Sequence, residues 1–450
     1  MTSGKGTSRW SLWMLLCAFA FVFVAGLMAA GNTPTDPGPR AGNAGAGGRI
    51  ANLAVKEAKF FDTGLDEFEE VQTVTGSAED TEEGLGPRFN SNSCVSCHAH
   101  PAAGGTSPPT NPQVTAGPPS EVLTLTSLNI ISSDGPVREV RFQSDGGVHD
   151  LFTITGLEGT PANCQLTQPA FGAHLAELRF RIPTPLFGLG LIEAIEDATI
   201  LRNERINQLG INGVANRNGN DGTVTRYGWK AQNKSLVIFS GEAYNVEQGI
   251  TNELFPDERG EGGIPDSQNC RRIRPAPQDT VNYDLTQPQA VIDNVNAFAN
   301  FIRFLAPPAP VTSYPGVTQQ QIAAGETAFR KAGCQLCHVT SMTTGSHVTA
   351  ALANKTVNLF SDLLLHNIGT GDGIAQGGAT GDQFRTAPLW GVGQRLFFLH
   401  DGQTKDIVAA IKAHGGEATE VIKNFNGAAG ASAPLNTTES QNLVNFLRSL

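Results

Sequence analysis

The chain has 450 residues, which exceeds the ~250–300 residues at which a single hydrophobic core usually stops growing, so we expect two domains. Its 31 basic and 42 acidic residues give a net charge of −11, and this balance disfavours nucleic acid and anionic membrane surfaces as partners. The 51 glycines and 26 prolines indicate a fold with long loops.

The first predicted element is an export segment within residues 1–31. Lys5 and Arg9 precede a nearly uninterrupted apolar run at 10–30 that ends in small residues, as a signal peptide does. The run also approaches the ~20 residues that span a bilayer, so a cleaved signal and an uncleaved anchor are both predicted alternatives. In either case we expect a periplasmic or other extracytoplasmic protein. Residues 32–50, rich in small residues and proline, are predicted to form a flexible tether.

Two Cys-x-x-Cys-His pentapeptides carry the strongest functional signal in the chain. In such a motif two thiols can bond to the vinyl groups of a haem while the adjacent imidazole binds the iron. A zinc half-site or a thiol–disulfide redox pair would explain the cysteines but not the trailing histidine, in a chain with only 9 histidines. The motifs therefore predict two covalently bound haem c groups, with His98 and His338 as proximal ligands. Their sequences are Cys94-Val95-Ser96-Cys97-His98 and Cys334-Gln335-Leu336-Cys337-His338.

The first motif lies in a predicted domain that spans residues 51–305. A helical pattern at 54–68 precedes the motif, and apolar residues spaced three and four apart at 291–305 predict a closing helix that prolines terminate. Far more chain separates the motif from that helix than one haem needs. We predict a large insertion with a small sheet, because strand-like alternation occurs at 122–128, 137–142 and 148–154.

A linker at 306–315 leads into the second predicted domain, residues 316–450. An opening helix at 322–331 precedes the second motif, and Asn436 with Glu439 forms a capping-box start for a closing helix. An opening helix, a haem motif and a closing helix are the minimal parts of a c-type cytochrome domain. We therefore predict a mostly α fold with loops, made of two cytochrome c-like haem domains, the first carrying the large insertion with a small β-sheet.

Two cysteines, Cys164 and Cys270, remain outside the export segment and the haem motifs. In an oxidising compartment they favour a disulfide bond between segments that are far apart in the sequence. The alternative is two independent buried thiols.

The sixth ligand of each iron influences its potential and decides whether it can bind an oxidant. For the C-terminal haem, Met342 is the only methionine outside the export segment, and it follows His338 too closely to reach the distal face. His414 shares a helical apolar stripe with Ile407 and Ile411. We therefore predict it as the distal ligand of a bis-histidine, six-coordinate haem of relatively low potential; ordinary core packing is the alternative.

For the N-terminal haem the distal ligand stays open. His100 lies two residues from His98, His149 lies in a glycine-rich turn, and His174 lies on a predicted helix. An iron without a protein ligand on this face fits the sequence equally well.

Several blocks of the chain occur in the order typical of one known family. With them the chain resembles, over roughly residues 55–450, the bacterial di-haem oxidoreductase family of peroxidase-like or thiol-oxidoreductase-like proteins, which is related to the di-haem cytochrome c peroxidases. The blocks are FNSNSCVSCHAHPAAGG (89–105), FRIPTPLFGLGLIEAI (180–195), RYGWKAQN (226–233), SDLLLHNIG (361–369), FRTAPLWGVG (384–393), FLHDG (398–402) and AHGGEA (413–418).

The resemblance implies further site residues. The glutamate of the peroxide pocket corresponds to Glu193, where a partly desolvated carboxyl could move a proton between the two peroxide oxygens; a capping role at a helix start is the alternative. A calcium ion between the domains would have carbonyl ligands near Thr386 and Pro388. The distal position of the C-terminal haem falls on His414, where relatives commonly have methionine. Trp229 is expected either to stack between the haems and pass electrons or to pack in an aromatic core.

Together these features predict an exported di-haem enzyme, a peroxidase-like oxidoreductase. Electrons would enter at the C-terminal haem from a small soluble donor, a cytochrome or a cupredoxin-like protein. They would pass to the N-terminal haem, which would reduce a small-molecule oxidant, hydrogen peroxide by preference. The alternatives are a di-haem electron carrier without peroxidase activity and an oxidase of a sulfur compound. The sequence leaves open whether the chain is membrane-anchored and whether it forms a homodimer.

Overall fold

The computed structural model describes residues 1, 33–74, 81–86, 88–153, 162, 167–256 and 293–450. All but the first residue of the predicted export segment, and both cysteines of the predicted disulfide, Cys164 and Cys270, lie outside the described residues. Within those residues, helices alternate with long loops and sheets of two or three short strands. No helix in this part of the chain combines the length and the hydropathy that crossing a bilayer requires.

The first half begins with a long helix and ends with another, and short elements lie between them. In chain order these elements are α1 (Val55–Glu69), β1 (Val71–Thr73), β2 (Thr81–Glu83), β3 (Arg88–Phe89), α2 (Cys94–Cys97), α3 (Gln113–Ala116), α4 (Pro119–Ser127), β4 (Glu139–Phe142), β5 (Val148–His149), β6 (Phe152–Thr153), β7 (Leu178–Arg181), α5 (Leu189–Glu193), α6 (Asp197–Leu201), α7 (Leu236–Gln248) and α8 (Asn294–Phe304).

The second half repeats the pattern of long outer helices around short inner elements. The predicted capping box of Asn436 and Glu439 is present at the start of its last helix. The elements are α9 (Gln319–Ala332), β8 (Met342–Thr343), β9 (Thr356–Val357), β10 (Leu365–His366), β11 (Phe384–Arg385), α10 (Ile407–Lys412), α11 (Thr419–Phe425) and α12 (Thr437–Ser449).

In both halves the opening helix crosses the closing helix at a glycine. A Cβ atom added to Gly64 of α1 would lie 2.1 Å from the Ala297 carbonyl oxygen of α8. One added to Gly325 of α9 would lie 1.9 Å from the Asn442 carbonyl oxygen of α12. Because real carbon atoms do not come this close to a carbonyl oxygen, only glycine allows these helix backbones to pack as they do.

A phenylalanine follows each of these glycines by four residues and packs beside the histidine of the nearby pentapeptide. The ring centroids are 6.2 Å apart for Phe68 and His98, and 6.4 Å apart for Phe329 and His338. Aromatic rings of the closing helices α8 and α12 complete both clusters. The two halves therefore position their histidines by the same packing arrangement.

The predicted sheet of the insertion is present but smaller than expected. β4 is its central strand, with β5 and β7 as antiparallel neighbours, whereas β6 pairs with β3. The predicted strand at 122–128 is wrong, because these residues lie mostly in helix α4. That helix has Pro119 at its first position, where proline is favoured, and it buries Leu125 completely.

The predicted domain boundary at 306–315 does not coincide with a break in hydrophobic packing. Leu352 and Leu364, from the second half, are buried in the same cluster as Phe298 and Ile302 of α8. A second cluster lies between α9 and α12, and a third lies within the insertion around β4. The segment after the second pentapeptide returns to the first half, a long-range contact that local sequence periodicity does not show.

Residues 33–50, which we call the strap, are not the flexible tether that composition predicts. Asp36 forms an ion pair with the fully buried Arg448 of α12, with 2.7 Å between Oδ2 and Nη2. Further along, the backbone nitrogen of Ile50 donates to the Phe304 carbonyl oxygen at 2.7 Å. The strap is therefore docked on both halves by a buried charge pair and by backbone hydrogen bonds, which a count of small residues cannot reveal.

Candidate haem-binding sites

Each pentapeptide folds into one helical turn that gathers its functional side chains. The backbone nitrogen of His98 donates to the Cys94 carbonyl oxygen at 3.0 Å, and that of His338 donates to the Cys334 carbonyl oxygen at 2.9 Å. Such a turn brings residues three and four apart onto one face. Both cysteines and the histidine of the first motif line one cavity, here named the N-terminal cavity, and those of the second motif line another, the C-terminal cavity.

The C-terminal cavity has a volume of about 200 Å³, and both histidines predicted as axial ligands line it. Nδ1 of His338 is 2.9 Å from the Phe360 carbonyl oxygen, and Nδ1 of His414 is 2.8 Å from the Ala410 carbonyl oxygen. Such a partner makes Nδ1 the proton donor and leaves the Nε2 lone pair for a metal. Helix α10 ends at Lys412, so His414 lies just beyond the helix and not within it.

The N-terminal cavity, with a volume of about 140 Å³, differs in its histidines. Nδ1 of His98 is 3.1 Å from the Gly105 carbonyl oxygen, which again leaves Nε2 for a metal. Among the residues that the structure describes, no second histidine lines this cavity. The two cavities therefore share a wall formed by the pentapeptide and differ in the residues that line the rest of their surface.

None of the three histidines considered for the N-terminal haem reaches its cavity. Nε2 of His100 is 2.8 Å from the Gln394 carbonyl oxygen. His149 and His174 both stack on Phe142 of the insertion sheet, with ring centroids 3.7 and 4.7 Å away. These histidines have packing or hydrogen-bonding roles away from the cavity.

Burial sets the protonation of the pentapeptide side chains. It lowers the pKa of His98 and of His338 to about 4, so both are neutral imidazoles, the form that binds a metal. It also raises the pKa of Cys97 to about 11 and that of Cys334 to about 12, and all four motif cysteines are free thiols. A thiol–disulfide catalyst needs a lowered thiol pKa, so this donor set fits haem attachment better than thiol redox chemistry.

Trp229 lines both cavities. Its indole Nε1 donates to the Ile182 carbonyl oxygen at 2.8 Å, and its ring meets Phe384 edge to face at a centroid distance of 6.5 Å. One contact fixes the polar edge of the indole and the other packs against its ring. The side chain is therefore held between the two proposed haem sites, the position that the sequence prediction required for a connecting residue.

Glu193 lies at the end of α5 and is not among the residues that line the N-terminal cavity. Its carboxylate forms an ion pair with Arg303 of α8, with 2.7 Å between Oε2 and Nε, and accepts from the backbone nitrogen of Leu236 at 3.4 Å. The carboxylate links α5 to α8 and to the start of α7. The catalytic role that the resemblance implies for Glu193 stays a prediction.

Three other carboxylates line the N-terminal cavity: Glu139, Glu242 and Glu247. Glu139 is paired with Arg141, and Glu247 accepts a hydrogen bond from Asn90 at 3.2 Å. Glu242 lies on α7 and accepts a hydrogen bond from Asn233. Its signal in the sequence was helical spacing, since Phe239, Ala243 and Val246 of the same helix also line the cavity.

The residues predicted to bind calcium are not assembled into an acidic site. The Thr386 carbonyl oxygen accepts a hydrogen bond from Ser361 Oγ at 2.6 Å, and Pro388 lies in the loop that follows. In the described part of the chain, no group of three or more histidine, cysteine, aspartate or glutamate side chains is close enough together to hold a metal ion.

Paired cavities with matching Cys-x-x-Cys-His walls define a protein of the di-haem class. The model of the family described as "Di-haem oxidoreductase, putative peroxidase" matches residues 171–450, which is more than half of the chain. The chain therefore belongs to this family, and it is a peroxidase-like oxidoreductase with haem cofactors. The matched region includes Trp229, the second pentapeptide and His414, and the first pentapeptide precedes it.

Solved structures with detectable similarity are distant. A Kuenenia stuttgartiensis hydrazine synthase, determined under 20 bar xenon, is 18% identical over 36% of this chain and 57% of that chain, with a TM-score of 0.24. A MauG-like protein associated with microbial copper homeostasis is 16% identical over 60% of this chain and 90% of that chain, with a TM-score of 0.28. The chain thus spans little more than half the length of the hydrazine synthase chain. No curated protein gave a significant match.

Proposed function

We propose that this protein is an exported di-haem c-type oxidoreductase that takes electrons from a small soluble donor, a cytochrome or a cupredoxin-like protein, and reduces hydrogen peroxide. The observation that supports this best is the asymmetry of the two cavities. Both present a Cys-x-x-Cys-His wall, but among the described residues only the C-terminal cavity is lined by a second histidine whose Nε2 is free for a metal. One site fits electron transfer, and the other has room for an oxidant.

In this proposal the residues of each pentapeptide hold one haem by two thioether bonds and one imidazole. When bound, the haems would supply electron storage and the metal at which the oxidant is reduced. His414, which lines this cavity with Nδ1 bonded to the Ala410 carbonyl oxygen, would also hold the C-terminal haem and so would close this site to small molecules. The N-terminal cavity offers no described histidine for that role, and an oxidant can enter there.

Glu242 is the residue that we assign to proton movement in the N-terminal cavity, in place of Glu193. Its carboxylate lines the cavity and is oriented by the hydrogen bond from Asn233. Gln232 also lines the cavity, and its Oε1 atom is buried without a hydrogen-bond partner. A carboxyl and an amide on one wall can hold and transfer a proton at an oxygen of the oxidant while water is excluded.

Trp229 belongs to the same proposal as the side chain that connects the two sites. Its indole lines both cavities and is fixed by the hydrogen bond to Ile182. Extracytoplasmic location, with either a cleaved signal or an anchor within residues 1–31, also remains part of the proposal, as does a homodimer. Cell fractionation of the full-length chain and its size in solution test these points.

The test of the proposed chemistry is a pair of matched substitutions, Glu242→Gln and Glu193→Gln. Loss of a general acid–base group typically lowers turnover by about 10²–10⁴-fold. We expect this loss of peroxide turnover in Glu242→Gln, with two haems still attached and unchanged haem spectra. Glu193→Gln should turn over peroxide like the parent. The reverse pattern would refute the assignment of Glu242, and a parent protein without peroxide turnover would refute the peroxidase proposal.

A further inference from the structure

Two buried arginines of the C-terminal cavity have no carboxylate partner within ion-pair distance among the described residues. Arg385 and Arg395 both line this cavity, and each exposes only 8% of its surface. Arg385 Nε donates to the Gly228 carbonyl oxygen at 3.1 Å, while its Nη1 is buried without a partner. Across the described ranges, no carboxylate lies within ion-pair distance of either guanidinium.

Several other buried cations of this protein, unlike Arg385 and Arg395, have a carboxylate partner. Arg181 is 2.6 Å from Asp372, and Arg448 is 2.7 Å from Asp36. His366, which also lines the C-terminal cavity, lies 2.8 Å from Asp362 and has a second carboxylate partner. Charged groups are normally buried only when they are paired, and these residues follow that rule.

In the protein without its cofactor, burying Arg385 and Arg395 without a carboxylate partner costs free energy. Burial lowers the pKa of Arg385 and of Arg395 to about 10, and repulsion by the Arg385 charge contributes to the lowering for Arg395. Two like charges in an apolar cavity destabilise each other and the fold unless an anion joins them. Asp362 offsets part of the Arg385 charge, but no carboxylate among the described residues lines the cavity, so an anionic ligand would stabilise both arginines.

We propose that Arg385 and Arg395 form an anion subsite that receives the propionate carboxylates of the C-terminal haem. This inference rests on the proposed function, because it requires a haem in this cavity. A guanidinium matches a carboxylate in shape and charge, and two guanidiniums match the two carboxylates on one edge of a haem.

The subsite also fixes which edge of the haem faces the other half of the protein. Arg385 is joined to the turn that carries Trp229: its backbone nitrogen donates to the Trp229 carbonyl oxygen at 2.9 Å, and its side chain donates to Gly228. The carboxylate edge therefore turns toward Trp229, the residue that lines both cavities. Arg385 and Arg395 act as positioning residues for the haem and as positive charges that favour its reduced state.

The N-terminal cavity does not repeat this arrangement. Arg138, Arg141 and Arg181 line it, and two of the three have a carboxylate partner within ion-pair distance. Arg141 is paired with Glu139, Arg181 is paired with Asp372, and Arg138 donates to backbone carbonyl oxygens. The proposal is therefore specific to the C-terminal haem.

The test compares Arg395→Gln, Arg395→Lys and the control Arg330→Gln in the full-length holoprotein. Arg330 is an exposed residue of α9 that is paired with Glu326 and lies outside the C-terminal cavity. Intact mass gives the number of attached haems. Spectroelectrochemistry gives the midpoint potential of the low-spin haem, which in this proposal is the six-coordinate C-terminal haem. Resonance Raman spectroscopy gives its propionate bending bands.

We expect Arg395→Gln to keep two haems, to lower the midpoint potential of the low-spin haem and to shift a propionate band. Arg395→Lys should lie between this variant and the parent, and Arg330→Gln should match the parent. Parent-like potential and propionate bands in Arg395→Gln would overturn the subsite.

If Arg395→Gln loses one haem, recovery of that haem in Arg395→Lys supports the charge role. Loss of that haem in both variants would overturn the charge role and would indicate that the arginine acts by packing. A parent protein with fewer than two attached haems would instead overturn the proposed function itself.

Discussion

The N-terminal and C-terminal cavities share one wall and differ in nearly everything else. In both, a one-turn helix presents two thiols and a histidine whose Nδ1 is bonded to a carbonyl oxygen. The remaining N-terminal wall carries three carboxylates and three arginines, two of which are paired with carboxylates. The C-terminal wall carries two unpaired arginines and three further histidines, which are His366, His400 and His414.

This comparison teaches that, in the proposed function, each pentapeptide would attach a haem and the rest of each cavity wall would decide what that haem does. A second imidazole next to unpaired cations favours a closed, six-coordinate haem with its carboxylates anchored. A wall with a carboxyl and an amide, and with no second histidine among the described residues, favours an accessible iron beside a proton donor. Three substitution experiments can break or sharpen this contrast.

The largest effect should come from removing the thiols of one motif at a time. Replacing Cys94 and Cys97 by alanine should remove the mass of one attached haem and abolish peroxide turnover, while the low-spin spectrum persists. Replacing Cys334 and Cys337 by alanine should also remove one haem, but the low-spin signal should disappear. Intact mass and electron paramagnetic resonance report these outcomes. Two retained haems in either variant would contradict the attachment sites.

The next effect should come from His414→Ala, which makes the C-terminal site resemble the N-terminal one. The ferrous parent should bind one equivalent of carbon monoxide and the variant two, because the second iron loses its sixth ligand. The control is His174→Ala, which removes a histidine outside both cavities. An unchanged stoichiometry in His414→Ala would mean that another group ligates the C-terminal haem.

The smallest effect should come from the strap, which forms its buried ion pair only with the second half. In Asp36→Asn the buried Arg448 loses its partner, and removing one partner of a buried pair costs about 3–5 kcal/mol. The loss should appear in the thermal unfolding of the low-spin haem signal. The control is Asp62→Asn, which removes the exposed partner of Arg49 at the other end of the strap. Its loss of unfolding free energy should be below about 1 kcal/mol.

The stability difference between parent and Asp36→Asn should depend on pH. Although burial opposes it, hydrogen bonds from Arg448 and the backbone lower the pKa of the Asp36 carboxyl below its usual 3.8. A lowered carboxyl pKa stabilises the fold fully above the unfolded value and loses this effect as pH falls through the folded value. The difference should therefore be constant at neutral pH and shrink below about pH 4. If the stability difference between parent and Asp36→Asn persists at lower pH, the negative charge of Asp36 is not its source.

Local patterns predicted the parts of this protein that depend on local sequence. The opening and closing helices, the capping box at Asn436 and the placement of both pentapeptides are encoded within short windows. The strand predicted at 122–128 is wrong because Pro119, at the first position of a helix, favours a helix over this segment despite its alternating pattern. Apolar spacing led to His414, and the structure places its side chain in the C-terminal cavity together with His338.

The features that sequence reasoning missed are long-range contacts. Nothing near Asp36 indicates its pairing with Arg448 at the other end of the chain, and composition alone suggested a flexible tether. Glu193 was chosen from its motif, whereas its contact with Arg303 appears only when α5 and α8 pack together. Glu242 carried the more useful signal, because its helical register matches the apolar residues that line the same cavity.

The two glycine crossings set different times at which each half can close during synthesis. Each helix meets its partner within its own half, but the Gly64 helix must wait for roughly twice as much chain to emerge before α8 is available as the Gly325 helix waits for α12. At equilibrium a twofold longer loop costs only about 0.6 kcal/mol, but a nascent chain experiences it as a delay. If haem is attached at both pentapeptides as proposed, the first would stay accessible for longer than the second, and the two halves would not need to be loaded simultaneously.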